Sequence, residues 1–258
     1  MSQNPGWLLL RFAQREVTNR FAGSLLGGLW ALVHPLALLL IYSFVFTTVL
    51  KVRVVADEGV SFVVFLAVAL WPWMAFSEAV TRGAAAVVAN GALIKKVPFA
   101  HELVVYAAVA SSFLVQIVGY LVALAFIALN GTVLHWSALP MALLGLTALG
   151  LLATGLALLL SAVHVFVRDL EQGLAHALAL LFYLSPILYS AAMVPGWMRD
   201  AMLLNPVAVL LEAMRAALIH GQALPGVAVA WATAFCAVVL LLGRLVFHRL
   251  SPHFEEAL

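Results

Sequence analysis

Asn90-Gly91-Ala92-Leu93-Ile94-Lys95-Lys96-Val97-Pro98-Phe99-Ala100-His101-Glu102 is a short polar island between two long apolar stretches. Its length and mixed charge suit a small helix on one face of a membrane. Around it, 66% of the 258 residues are hydrophobic and 9% are charged, against roughly 25% charged in an ordinary soluble domain. A soluble fold of this size has no way to hide so much apolar surface, so lipid must cover the remainder. The net charge of +2 comes from few groups and matches membrane-flank lysines and arginines, not a nucleic-acid surface. The single cysteine, Cys236, lies in an apolar run and excludes a disulfide framework within the chain. The start of the chain lacks a secretory signal pattern. With no internal repeat, residues 1–258 form one all-α integral membrane domain.

Residues 4–22 form an amphipathic interface helix on this reading. At 100° per residue, Trp7, Leu10, Ala13, Val17 and Phe21 share one side, while Arg11, Arg15, Thr18 and Asn19 take another. Leu8, Leu9 and Phe12 interrupt that pattern, and a frayed tail is the alternative. Six membrane spans follow, at about 29–50, 61–80, 103–129, 139–165, 174–192 and 227–246. His34-Pro35 falls one turn inside the first, Trp71-Pro72-Trp73 in the middle of the second, Pro140 in the first turn of the fourth, and Pro186 inside the fifth. Asp57-Glu58-Gly59 and Asn130-Gly131 carry turn chemistry. The stretch from Met193 to Gly226 is too apolar for a plain loop. Asn205-Pro206 supplies an N-cap and an N1 proline for a helix running to Ile219 and stopping near Gly221. Its roughly 14 residues reach only about 20 Å, short of a hydrocarbon core of about 30 Å. Two short re-entrant helices between spans 5 and 6 are therefore expected.

Orientation follows from the basic residues. With the N-terminus inside, Arg11, Arg15, Arg20, Arg82, Lys95, Lys96, Arg168, Arg244 and Arg249 lie on the inner side. Lys51, Arg53, Arg199 and Arg215 lie on the outer. Nine against four makes a multi-pass protein with both termini cytoplasmic and the re-entrant pair outside.

No catalytic constellation stands out. The histidines are scattered without metal-ligand spacing, and His164 and His176 read as helix-end residues. No phosphate-binding Gly-x-x-x-x-Gly-Lys-Ser/Thr loop occurs, so energy for active transport has to come from a partner or an ion gradient. Mid-membrane charge, the mark of an ion-coupled carrier, is nearly absent. Glu78 with Arg82, and Glu212 with Arg215, have the spacing of intrahelical ion pairs. Aromatics are the more suggestive set: Tyr42, Phe44 and Phe46 in the first span, Trp71 and Trp73 in the second, Tyr183 and Tyr189 in the fifth. Rings facing a pore stack on the flat faces of sugars; an interfacial belt is the competing explanation, which fits Tyr42 and Tyr183 least. In the island, Leu93, Ile94, Val97 and Phe99 place apolar groups on a segment that ought to be solvated, as a partner-docking face does. The alternative is an ordinary connecting loop.

Arg15-Glu16, Arg20-Phe21, Leu26-Gly27-Gly28-Leu29-Trp30, Leu93-Ile94-Lys95-Lys96-Val97-Pro98, Phe166-Val167-Arg168-Asp169-Leu170, Ser185-Pro186-Ile187-Leu188-Tyr189, Asn205-Pro206 and the closing 247–254 occur in this order. In order and spacing they resemble the membrane subunits of ABC-2-type polysaccharide exporters, which move O-antigen and capsule chains. The resemblance implies a non-catalytic permease in the bacterial inner membrane. It implies a homodimer with two separate ATP-binding subunits, with ATP and Mg on those partners and no cofactor in this chain. It also implies a coupling helix at about 90–101 that docks on the ATPase, with Leu93, Ile94, Lys95, Lys96, Val97 and Phe99, and Arg168 and Asp169 of the next inner loop, as the coupling candidates. A channel lined mainly by the first and fifth spans would carry a lipid-linked polysaccharide. Tyr42, Phe46, Trp71, Trp73, Tyr183 and Tyr189 are the candidate lining. Arg11, Arg15 and Arg20 are candidate contacts for the lipid phosphate, although the positive-inside rule accounts for them equally well. Permeases for teichoic acid, lipid or drug export, an ion-coupled carrier, and a non-transporting scaffold are the alternatives.

Overall fold

Ser61 opens the most buried of the membrane-length helices, its hydroxyl accepting from Val64 N at 3.4 Å. The computed structural model describes residues 5–51, 61–129, 134–222, 224 and 226–258. Asn4, Arg53 and the turns expected at Asp57-Glu58-Gly59 and Asn130-Gly131 lie outside the described residues. In chain order the helices are α1 (Pro5–Phe21), α2 (Trp30–Ser43), α3 (Phe62–Ala89), α4 (Gly91–Ile94), α5 (Glu102–Leu129), α6 (Leu139–His164), α7 (Leu170–Leu184), α8 (Gly196–Met202), α9 (Pro206–His220), α10 (Gly226–Leu250) and α11 (Phe254–Ala257). Among the described residues, five helical stretches are long and apolar enough to cross a bilayer: 27–49, 62–89, 102–129, 136–164 and 226–257. α8 and α9 are joined at a bend of 97°.

α3 is the axis of the bundle, packed by α2, α5, α6 and α9. It runs nine residues past the expected end of the second span, because Ala84, Ala86 and Val87 continue its buried face. Tyr120 of α5 donates to Val68 O at 3.2 Å, filling a hydrogen-bonding need that lipid would leave open. α6 and α10 cross at Gly155 and Gly243. A Cβ on Gly155 would lie 2.6 Å from Leu240 N, so the backbones approach as closely as small residues allow.

The fifth apolar segment differs from expectation. α7 has 15 residues, about 22 Å at 1.5 Å each, and ends at Leu184. Pro186 follows the helix instead of lying inside it. The apolar residues that lengthen the expected span, Ile187 and Leu188, are buried in a non-helical turn. That turn is satisfied by Arg215, 1% exposed, whose guanidinium donates to Pro186 O at 2.8 Å and Ile187 O at 3.3 Å. The same group pairs with Glu212 at 2.8 Å and lies 3.7 Å from the Phe65 ring centroid. The charge count treats Arg215 as an outer flank marker, but it is an internal lock. α9 begins and ends where its cap residues predict. Asn205 Oδ1 accepts from Val207 N at 3.0 Å, and Gly221 takes φ 64°.

Two further expectations are corrected. Glu78 and Arg82 do not pair along α3; each pairs with α1. Arg20 Nη2 donates to Glu78 Oε2 at 3.0 Å, and Arg82 pairs with Glu16 at 3.0 Å. The face expected of α1 holds only in part: Ala13, Val17 and Phe21 are partly covered, and Arg11, Thr18 and Asn19 are exposed. Trp7 and Leu10 are exposed, whereas Phe12, which interrupts the sequence pattern, packs against the bundle with Leu8 and Leu9 partly covered.

Candidate functional site

Pro35 of α2, Leu178 of α7 and Met74 of α3 face a common space. Between these helices opens a cleft of about 640 Å³. Its apolar part is aromatic. Phe182 stacks on Tyr42 with ring centroids 6.2 Å apart and meets Trp73 at 5.7 Å. Tyr183 stands edge-on to Phe182 at 5.3 Å and is 63% exposed. The other part is polar: Arg20, Ser77, Glu78, Thr81, Arg82, Gln116 and His34 border the same space. Glu78 is the hub there, taking the Arg20 guanidinium and a bond from Gln116 Nε2 at 2.7 Å. The Gln116 Oε1 is buried without a partner. Aromatic faces next to a hydrogen-bonding patch offer both contacts a sugar ring uses: apolar C–H faces and hydroxyl edges.

The structure thus brings together Tyr42, Trp73, Tyr183 and Arg20 from the sequence candidates, and adds His34, Gln116 and Phe182. Phe182 escapes a sequence search because it sits between Leu181 and Leu184 in the apolar second half of α7. Gln116 carries a usable signal, as an amide in the middle of a long apolar span. The remaining candidates lie elsewhere. Trp71 is 1% exposed in the core of the bundle, against Gly119 of α5, and does not line the cleft. Phe46 stacks on Phe62 at 5.5 Å, within a π-helical turn spanning Phe44–Val49. The Tyr189 hydroxyl donates to Tyr183 O at 2.7 Å, bracing the end of α7. Of the candidate phosphate contacts, Arg20 is already paired with a carboxylate. Arg15 donates to Asn90 Oδ1 and lies over Phe12. Arg11 is exposed above Trp7, 5.1 Å from its ring centroid.

The island holds one turn of helix, α4, and is otherwise irregular. Lys95, Lys96 and Val97 are exposed and Leu93 half-buried. Ile94 is 1% exposed, and Phe99 packs on Phe12 at 5.4 Å. These two belong to the protein's own packing, which corrects the expected docking face. Arg168 and Asp169 are exposed between α6 and α7, with Phe166 and Val167 beside them. His164 is buried and bonded through Nδ1 to Ala84 O at 3.1 Å. His101 closes the island under the final residues of the chain. Burial pushes its imidazole below the usual histidine range, with the Glu255 carboxylate opposing that shift.

A family model described as ABC-2 type transporter matches residues 8–219. Over 262 aligned residues the chain is 26% identical to an O-antigen export system permease protein of Klebsiella pneumoniae, covering 100% of this chain and 98% of that protein. It is 28% identical over 257 residues to an O-antigen export system permease protein of Myxococcus xanthus, covering 97% and 95%. It is 26% identical over 233 residues to a polysialic acid transport protein of Escherichia coli, covering 90% and 89%.

Proposed function

The chain belongs to the ABC-2 type transporter family, a multi-pass membrane transport subunit, and from that premise we propose that it is the channel-forming permease of an ATP-driven polysaccharide exporter. Its cargo is a lipid-linked chain of the O-antigen or capsule class, carried across the bacterial inner membrane. Two copies assemble with two ATP-binding subunits, and the end bearing α1 and the island faces the cytoplasm. One observation carries this reading: the cleft between α2, α3 and α7 combines stacked aromatic rings with a hydrogen-bonding patch. The names of the similar proteins point to the same cargo class. α7 has no buried residue and α2 few, which suits a surface completed by a second copy. A channel between copies would then be walled by these two helices.

Sliding transport needs many weak contacts instead of a few strong ones, because a tightly held sugar would stop the chain. Each ring contact is worth about 0.5–1.5 kcal/mol, so Tyr42→Ala and Tyr183→Ala should each slow export of long chains roughly two- to tenfold. Timed export from reconstituted vesicles measures this; unchanged rates would return both residues to a packing role.

Lys95, Lys96, Val97, Arg168 and Asp169 form the exposed surface offered to the ATP-binding partner. Reversing both lysines to glutamate should reduce export about tenfold through loss of charge complementarity, with normal insertion in the membrane. Export measured beside the membrane-inserted protein level tests this, and normal export would remove the lysines from coupling. In cells, deletion should remove surface polysaccharide and leave the lipid-linked chain inside. Unchanged surface glycan would contradict the cargo.

A further inference from the structure

The last eight residues contain a phenylalanine with no exposed surface: Phe254 is 0% exposed. Its ring meets Phe247 of α10 at 5.4 Å, His101 of the island at 6.1 Å and Phe166 of the 165–169 loop at 6.4 Å. His101 in turn meets Phe99 at 5.6 Å, and Phe99 meets Phe12 of α1 at 5.4 Å. An unbroken run of rings therefore joins the interface helix, the island, the chain's final turn, the second loop and the last span. Two contacts flank it. Leu258 covers Gly91, where a Cβ would lie 3.4 Å from Leu258 Cδ2. His248 of α10 lies 3.0 Å from the Glu102 carboxylate at the start of α5.

We propose that Phe254 is a positioning residue that ties both loops, α1 and the end of α10 into one moving body. A push on either loop then reaches α1 and the last span together through Phe254. Packed aromatic contacts suit it, because close-packed interiors transmit displacement with little compression. The mechanical consequence rests on the transport reading above; the linkage itself rests on the geometry alone.

The test pairs amide hydrogen exchange with coupled transport in the full-length protein, using Phe254→Ala and Phe254→Leu. Exchange in residues 91–101 and 165–169 should rise about tenfold in both variants, with α9 at the far end unchanged. Chains exported per ATP hydrolysed should fall about fivefold in Phe254→Ala and less in Phe254→Leu, which keeps apolar volume. A residue needed only for folding would lower both activities together and leave that ratio intact. Exchange that rises in neither loop overturns the linkage. A constant ratio despite loosened loops overturns the positioning role. If the unsubstituted protein exports nothing with ATP, the transport reading falls, and exchange alone upholds or overturns the linkage.

Discussion

Arg215→Ala should lower the thermal midpoint of the detergent-solubilised protein by roughly 6–12 °C. The guanidinium is enclosed and donates to Pro186 O, Ile187 O and Glu212 at once. Alanine leaves two buried carbonyls without donors and a cavity beside Phe65. Orphaned groups of this kind cost about 1–3 kcal/mol each. Arg215→Lys keeps the charge but loses the planar fork, so its midpoint should fall between the two. The substitution should also free the Ser185–Ser190 turn, which Asn205 holds from the other side by donating to Ser185 Oγ at 3.1 Å. A midpoint within about 2 °C of the parent would mean that this turn is held by packing and not by the arginine.

Gly155→Leu should prevent accumulation of folded protein in the membrane. A Cβ at this position would lie 2.6 Å from Leu240 N and 2.7 Å from Val239 C. Both are backbone atoms, which no side-chain rotation relieves. The helices must separate, and separation strips the α6–α10 contact of the close approach that holds it. Overpacking costs typically about 1–3 kcal/mol where side chains yield; here the obstacle is main chain, so the loss is larger. Gly150→Ala is the control, because its nearest neighbours are Phe113 ring atoms at 3.8 Å. Membrane-fraction yield and size-exclusion profile decide between them. A monodisperse Gly155→Leu protein at parental yield would show that the two helices do not cross at this residue.

How much of this was legible in the sequence depends on the range over which each signal acts. The ends of α9 follow from Asn205, Pro206 and Gly221, because caps and left-handed turns are decided by the residue itself. Glu212 with Arg215 was legible as a pair for the same reason, although its burial was not. Glu78 and Arg82 also have the right spacing, yet two stronger partners, Arg20 and Glu16, arrive from α1. The end of α7 was invisible to hydropathy, which scores Ile187 and Leu188 alike in helix or in a buried turn. Trp71 and Trp73 are two residues apart and look equivalent as lining candidates. Only the packing of α5 separates them, enclosing Trp71 against Gly119 and leaving Trp73 beside Phe182. The island's apolar residues signalled a contact, but Ile94 and Phe99 satisfy theirs within the protein. Phe254 ends the closing 247–254 stretch, but nothing in a lone aromatic between His253 and Glu255 announces its complete burial.

On the function proposed above, this chain forms an ATP-driven path for a lipid-linked polysaccharide. Its most direct test is reconstitution with the ATP-binding subunit in vesicles carrying that glycolipid on the ATP-accessible side. A glycosidase confined to the opposite side reports arrival. Cleavage should begin on ATP addition and slow when Tyr42 and Tyr183 are both alanine. No cleavage, or cleavage equally fast without ATP, would contradict it.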